Sequence, residues 1–179
     1  MTSPRERVRQ ATERWGEADV VRLCSELVRS SPGAVQGRLL DLAMVLGGLT
    51  DRDWLAGGKP PGHGYWSRVW AVRALLYVWD QSAGRAVIGA LGDEHWRVRE
   101  MALKVVALRE LGQAAGIAER LCADEVPRVR AAAVRALAAV GEGEHADVVR
   151  GLLDDGPLVA RAAASALRTL SRRLDRDLG

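Results

Sequence analysis

The chain has 179 residues, 48% of them hydrophobic and 27% charged, with no Phe and abundant Ala, Leu, Arg and Glu. That length can bury a real core, and the composition argues against wholesale disorder and for helix, because these side chains lose little entropy there. A net charge of +3, spread evenly along the chain, argues against a basic nucleic-acid arm and leaves only a local basic stripe as an electrostatic footprint.

The first helix opens at Ser3-Pro4-Arg5-Glu6, with Ser3 as cap, Pro4 at the first helical position and Glu6 three residues after the cap. Val8, Ala11, Thr12 and Trp15 form its stripe, and Gly16 stops it. A second helix is predicted over Glu17 to Arg29 on the stripe Val20, Cys24, Leu27 and Val28. Ser31-Pro32 repeats the cap-plus-Pro signal ahead of a third helix carrying Leu39, Leu40, Ala43 and Leu46, which weakens at Gly47-Gly48.

Between Thr50 and Gly64 the pattern breaks. Gly57-Gly58-Lys59-Pro60-Pro61-Gly62-His63-Gly64 is a run that no helix interior tolerates. Long irregular loops inside compact repeats tend to be functional or mobile. This one is expected on the rim beside the first exposed groove, with Lys59 and His63 accessible and Trp54 or Trp66 anchoring its ends. From Tyr65 onward, helices are predicted near 66–79, 84–92, 97–110, 113–122, 127–140, 144–153 and 157–171, joined by short turns rich in Gly and Asp. Short connections make successive helices antiparallel neighbours.

The chain repeats itself. Trp96–Val106 reads WRVREMALKVV, Pro127–Leu137 reads PRVRAAAVRAL, Pro157–Leu167 reads PLVARAAASAL, and Tyr65–Leu76 is a looser YWSRVWAVRALL. Ala71, Ala102, Ala133 and Ala163 fall in one column, and Leu75, Val106, Leu137 and Leu167 in another. Self-similarity at such a period marks a solenoid, in which no helix pair buries both faces alone and neighbours must stack. Val98, Ala102, Val105 and Val106 lie on one helix face; Ala at its centre lets a partner helix approach, while Val and Leu fill the flanks.

These columns resemble HEAT repeats, whose pattern is a first helix, an acidic turn, and a second helix beginning Val-Arg and continuing with small residues. Asp93 stands five residues before Val98-Arg99, Asp124 five before Val129-Arg130, and Asp154 five before Val159-Ala160, where the Arg has gone or slid to Arg161. Arg68 occupies the Arg column of the first copy, and Asp51 is the acidic end of its altered turn. The resemblance spans about residues 33–170 and implies an all-α fold, an α-α superhelix: a right-handed, armadillo-type α-solenoid of HEAT-like hairpins. It also implies a structural ladder in which Asp93, Asp124 and Asp154 cap helices and pair with Arg68, Arg99 and Arg130 of their own or adjoining repeats. Within a single domain over 1–179, residues 1–31 are expected to be capping helices and 32–79 a divergent first repeat with its loop at 51–64. Regular repeats are expected over 80–171 and a polar tail over 172–179.

One basic column remains once core and ladder are subtracted. Arg73, Lys104 and Arg135 align at 31-residue steps, and the fourth copy offers Ser165 with Arg168 a turn later. On the concave face these side chains would track an acidic protein segment or a phosphate backbone; alternatively they only solvate the helix, neutralised by Glu100, Glu110 and Glu119. Six Trp against no Phe is unusual, and Trp54, Trp66, Trp70 and Trp79 cluster about the irregular loop. Trp suits interface hot spots, yet Trp66 and Trp96 also suit first-turn packing, and Trp70 and Trp79 suit gaps left by Ala.

Catalytic constellations are scarce. His63, His95 and His145 have no Cys or second His at metal-ligand spacing. The Gly/Pro loop lacks the GxxxxGK[ST] phosphate-loop pattern, and Cys24 and Cys122 fall on apolar helix positions as small hydrophobes. No cofactor, metal or catalytic residue is therefore expected. With no signal segment and no apolar run of about 18 residues, a soluble cytoplasmic protein is expected. Two functions stay open. The first is a non-catalytic scaffold or adaptor that binds a protein partner on its concave face through Arg73, Lys104, Arg135, Arg168, Trp54, Trp66, Trp70, Lys59 and His63. The alternative is a nucleic-acid-binding HEAT-like protein of the kind that excises alkylated bases with Trp and Asp side chains, echoed here by Trp79-Asp80 and by Asp93-Glu94 near Trp96.

Overall fold

The computed structural model describes residues 2–31, 34–51 and 63–178, and these form helices and turns without a strand. The chain divides into two compact units, Met1–Ala90 and Leu91–Gly179.

The first unit contains α1 (Pro4–Trp15), α2 (Glu17–Arg29), α3 (Gly37–Gly47), α4 (Tyr65–Ala74) and α5 (Gly84–Ala90). The entry to α1 is capped as its sequence dictates: the Ser3 hydroxyl accepts the Glu6 N–H at 3.2 Å, and Pro4 opens the helix. Gly16, at φ +81°, donates its N–H back to Thr12 and turns the chain directly into α2. Only glycine adopts that backbone without strain. α2 is the hub, packing against α1, α3, α4 and α5, and Val20, Cys24 and Leu27 are fully excluded from solvent. Each such Val or Leu side chain contributes about 1.5–3 kcal/mol by leaving water.

The α3–α4 contact depends on a missing side chain. A Cβ on Gly47 would stand 2.5 Å from the Trp70 ring, so that glycine lets the indole pack close against the end of α3. The helix predicted to reach residue 79 stops at Ala74. Leu75, Leu76 and Tyr77 instead donate to carbonyls three residues back, which tightens the chain into turns. Asp80 then caps a 3-10 turn over Gln81–Ala83 by accepting the Ser82 N–H at 2.9 Å.

The second unit contains α6 (Trp96–Arg109), α7 (Ala115–Leu121), α8 (Pro127–Val140), α9 (Ala146–Arg150) and α10 (Pro157–Leu174). α6, α8 and α10 stack in series, with α7 against α8 and α9 against α10, the arrangement of an α-solenoid. The repeat columns are the core. Ala102, Ala133, Ala163, Val106 and Leu137 are 0% exposed and Leu167 3%, as are Ala71 and Leu75 (both 0%) in the first unit. The first helices of the hairpins are shorter than predicted, because Gly112–Ala114 and Gly143–His145 are 3-10 turns leading into α7 and α9. In the latter, buried His145 accepts the Glu142 N–H on Nδ1 at 2.9 Å. α10 runs on to Leu174, into residues read as tail.

Candidate functional site

The turns and their arginines set the frame. Asp93 and Asp124 each accept the N–H two residues on, from His95 at 2.8 Å and Val126 at 2.9 Å, which shapes the entries to α6 and α8. Arg99 then reaches forward one repeat to Asp124, with Nε to Oδ2 at 2.8 Å and Nη2 to Oδ1 at 3.1 Å. Its Nη1 donates to the Asp93 and Glu94 carbonyls of its own turn. Arg130 repeats the arrangement with one change. Its fork meets Asp155, at 2.5 and 2.9 Å, while Nη1 donates to the Asp124 and Glu125 carbonyls.

The acidic partner in the last copy is therefore Asp155, not Asp154, which is exposed. The carboxylate column keeps a strict 31-residue step through 93, 124 and 155, whereas the Val column shortens to 30 between Val129 and Val159. A register taken from the Val column falls one residue short. The Arg130 fork holds the Asp155 carboxyl below the usual carboxylate range, and Asp155 raises Arg130 in turn. Arg161, six residues after Asp155 as Arg99 is after Asp93, is exposed and donates to the Pro157 carbonyl. Arg68 is buried within α4 at 6% exposure.

Between α6 and α8 the surface forms a trough. Trp96, Glu100, Lys104 and Leu108 follow one another at four-residue steps along α6, one face of the helix. α8 opposes them with Arg128, Ala131, Ala132 and Arg135. One hollow of about 330 Å³ is lined by Leu103, Lys104, Ala107, Leu108, Ala132 and Arg135. A second of about 400 Å³ shares Lys104 and Arg135 and extends to Glu100, Arg128 and Leu158. The floor is small and apolar, and the rim is basic.

The rim charges are not equivalent. Glu100, only 8% exposed, accepts from Lys104 Nζ at 2.9 Å and from Arg128 Nη2 at 3.3 Å. Its burial is balanced by two cations, and both are thereby held in place. Arg128 also lies 5.7 Å from the Trp96 ring centroid, and Arg97 lies 4.3 Å from it. Arg135 is exposed and, among the described residues, makes no ion pair or side-chain hydrogen bond. Leu108 is 55% exposed at one end of the trough and Leu158 41% at the other.

The remaining candidates separate from this trough or fall outside it. Arg73 is half-buried in α4, where burial first and the Arg7 guanidinium second pull it below the ordinary arginine value, against a smaller opposite effect of Tyr77. That is not the exposed cation the stripe requires. Trp70 is 8% exposed, so a contact-surface role for it is corrected: its ring is committed to the Gly47 approach. Trp66 stacks on Trp70 at 6.1 Å, meets Tyr65 at a tilt at 5.2 Å, and is half-buried in the first turn of α4. His63 is half-buried, and Arg168 is exposed on α10. Trp54 and Lys59, with most of the Gly/Pro loop, lie outside the described residues.

Leu108, Leu158, Arg128 and Glu100 belong to the trough although the repeat columns did not select them as contact residues. The signal was the four-residue step from Trp96 to Leu108, which alternates with the buried stripe on the same helix. Cys24 and Cys122 are buried, and desolvation pushes each thiol up to about 12, which removes them from nucleophilic or ligating chemistry near neutral pH. Among the described residues no cluster of His, Cys, Asp and Glu could hold a metal ion, and no helix is long and apolar enough to cross a membrane.

No curated protein matches the chain by sequence. A crystal structure of an engineered protein is similar at 18% identity, covering 96% of this chain and 80% of that one, with a TM-score of 0.48. The HEAT repeat family model matches residues 117–143, which are the body of α7, the Asp124 turn and α8, the hairpin that supplies one wall of the trough. That hairpin is similar to a HEAT repeat, and it is stacked between α6 and α10 in an all-helical array.

Proposed function

We propose that this HEAT-like array is a non-catalytic scaffold that binds a protein partner in the trough between α6 and α8. One observation carries the reading: a small-residue apolar floor ends in the exposed Leu108 and is bordered by the uncommitted Arg135. Apolar anchors with an arginine at the edge are what protein interfaces use. A phosphate-tracking surface would need a row of free cations, and here Lys104 and Arg128 are already held by Glu100. Two buried thiols suit a reducing compartment such as the cytoplasm.

Affinity capture from the native host with wild type, Leu108→Asp and Arg135→Glu tests the reading. A protein retained by wild type after nuclease treatment and lost by both variants is the expected result. Retention abolished by nuclease, or equal for all three chains, would sink it.

A further inference from the structure

The trough has a definite length, sign and chemistry, and these restrict its occupant. From Glu100 to Leu108, the lining residues on α6, is about 12 Å at 1.5 Å per residue, roughly two turns of a helix lying alongside. Its floor of Ala107, Ala131 and Ala132 lets another backbone come close. Of the four large hydrophobic side chains exposed among the described residues, Leu108 and Leu158 border this trough. Lys104, Arg128 and Arg135 stand against the single carboxylate of Glu100, so the rim is positive and complements a negative ligand.

The walls decide between an extended and a helical segment. An extended peptide is held mainly by main-chain hydrogen bonds to a sheet edge. The α6 and α8 backbones are helical and spend their N–H and C=O groups internally. A helix brings its own backbone bonds satisfied and presents apolar anchors at i, i+3, i+4 and i+7. We infer that the occupant of the α6–α8 trough is an acidic amphipathic helix of a partner protein, with about two turns in contact, its apolar side chains against Leu108 and the alanine floor and a carboxylate on Arg135. This rests on the scaffold reading above and adds the chemistry of the partner segment.

The test titrates the whole chain into fluorescein-labelled 14-residue synthetic peptides and follows anisotropy. One peptide places Leu at i, i+3, i+4 and i+7 with Glu on its flanks. A second replaces every Glu by Gln, and a third carries Pro at its centre. The Glu–Leu peptide should bind at least about tenfold more tightly than either counterpart, and its affinity should fall with added salt, since exposed charges are screened. Leu108→Asp and Arg135→Glu should each weaken it at least about tenfold. Arg173→Glu, the same charge change near the end of α10, should leave it intact. Circular dichroism should show both trough variants folded, because both side chains are exposed.

Equal binding of the Gln peptide overturns the acidic occupant, and equal binding of the Pro peptide overturns the helix. In either case loss on Leu108→Asp would keep the trough as a protein-contact surface. Failure of all three peptides to bind, or binding indifferent to both substitutions, overturns the inference. A duplex oligonucleotide displaced by Arg135→Glu, or a dimer in sedimentation abolished by Leu108→Asp, would assign the trough to nucleic acid or to a second copy and overturn it too.

Discussion

Arg99 clamps Asp124 of the next repeat with both arms of its guanidinium while its remaining nitrogen holds two carbonyls of its own turn. The two side chains are 12% and 5% exposed, so neither charge can turn to water if the other is removed. Breaking such a partly buried pair costs about 3 kcal/mol, most of it from the stranded partner. Arg99→Ala should therefore lower the melting temperature by roughly 10 °C for a chain of this size. Arg99→Lys should recover little, because an ammonium cannot reproduce the fork. Thermal melts of the three proteins decide the point.

The register of the ladder is tested separately. Asp155→Asn should destabilise the fold, whereas Asp154→Ala should change stability by no more than about 0.5 kcal/mol. The acid limb adds a sign. A carboxyl held below its unfolded value contributes stability that is present above about pH 4 and lost as pH falls toward its folded value. Between pH 5 and pH 3, wild type should lose more stability than Asp155→Asn in urea melts. The reverse order would mean that Arg130 does not depend on this carboxylate.

Much of this architecture could be read from the chain because a repeat writes each rule several times. Ala102, Ala133 and Ala163 in one column and Val106, Leu137 and Leu167 in the next identify the buried face without any structure, and these residues are indeed buried. Asp155 was missed because two columns with different steps, 31 and 30, cannot share one register. The trough was only half legible. Lys104 and Arg135 stood out as aligned cations, but their unequal availability depends on buried Glu100, which bonds Lys104 on its own helix and Arg128 across the repeat. Periodicity does not report a contact between residues 28 apart. Trp70 misled for a related reason: an aromatic next to a Gly/Pro run suggests a surface, and only the space left by Gly47 shows where the ring goes.

Close approach makes particular small residues indispensable. Gly47→Ala would push a methyl into the Trp70 ring, an overpacking cost of about 1–3 kcal/mol. Ala102→Leu and Ala133→Leu, both at fully buried columns, should cost about as much, since each wedges apart two stacked helices. Val105→Ala should be milder, leaving a cavity that neighbours partly fill. Urea midpoints should place Val105→Ala above the other three variants. An Ala133→Leu protein as stable as wild type would contradict the inward face assigned to α8.

The two thiols give a prediction at the alkaline end. Burial raises Cys24 and Cys122 to about 12, against about 8.5 in an unfolded chain. Between those values the folded state holds protons that the unfolded state has released, so stability must fall as pH rises through that window. The Cys24→Ala/Cys122→Ala double variant lacks this contribution. Its urea midpoint should decline less than that of wild type between pH 8 and pH 10. A thiol reagent should label neither residue in the native protein and both after denaturation.

The basic column offers the sharpest separation of exposed from committed charge. If Arg73, Lys104 and Arg135 were three equivalent solvated cations, reversing any one of them would be nearly neutral. Arg135 alone meets that description, and Arg135→Glu should stay within about 0.5 kcal/mol of wild type. Lys104→Glu sets a second carboxylate four residues from the buried Glu100, removes one of its two cations and introduces repulsion on the same helix face. Arg73→Glu places a new charge in a half-buried position beside Arg7. The charge pairing would be favourable there, but the long arginine stem that fills the site is lost. The expected order of melting temperatures is wild type and Arg135→Glu together, then the other two clearly lower. If Lys104→Glu melts with wild type, Glu100 is not held by Lys104 in solution, and the trough carries a free cation at that position as well.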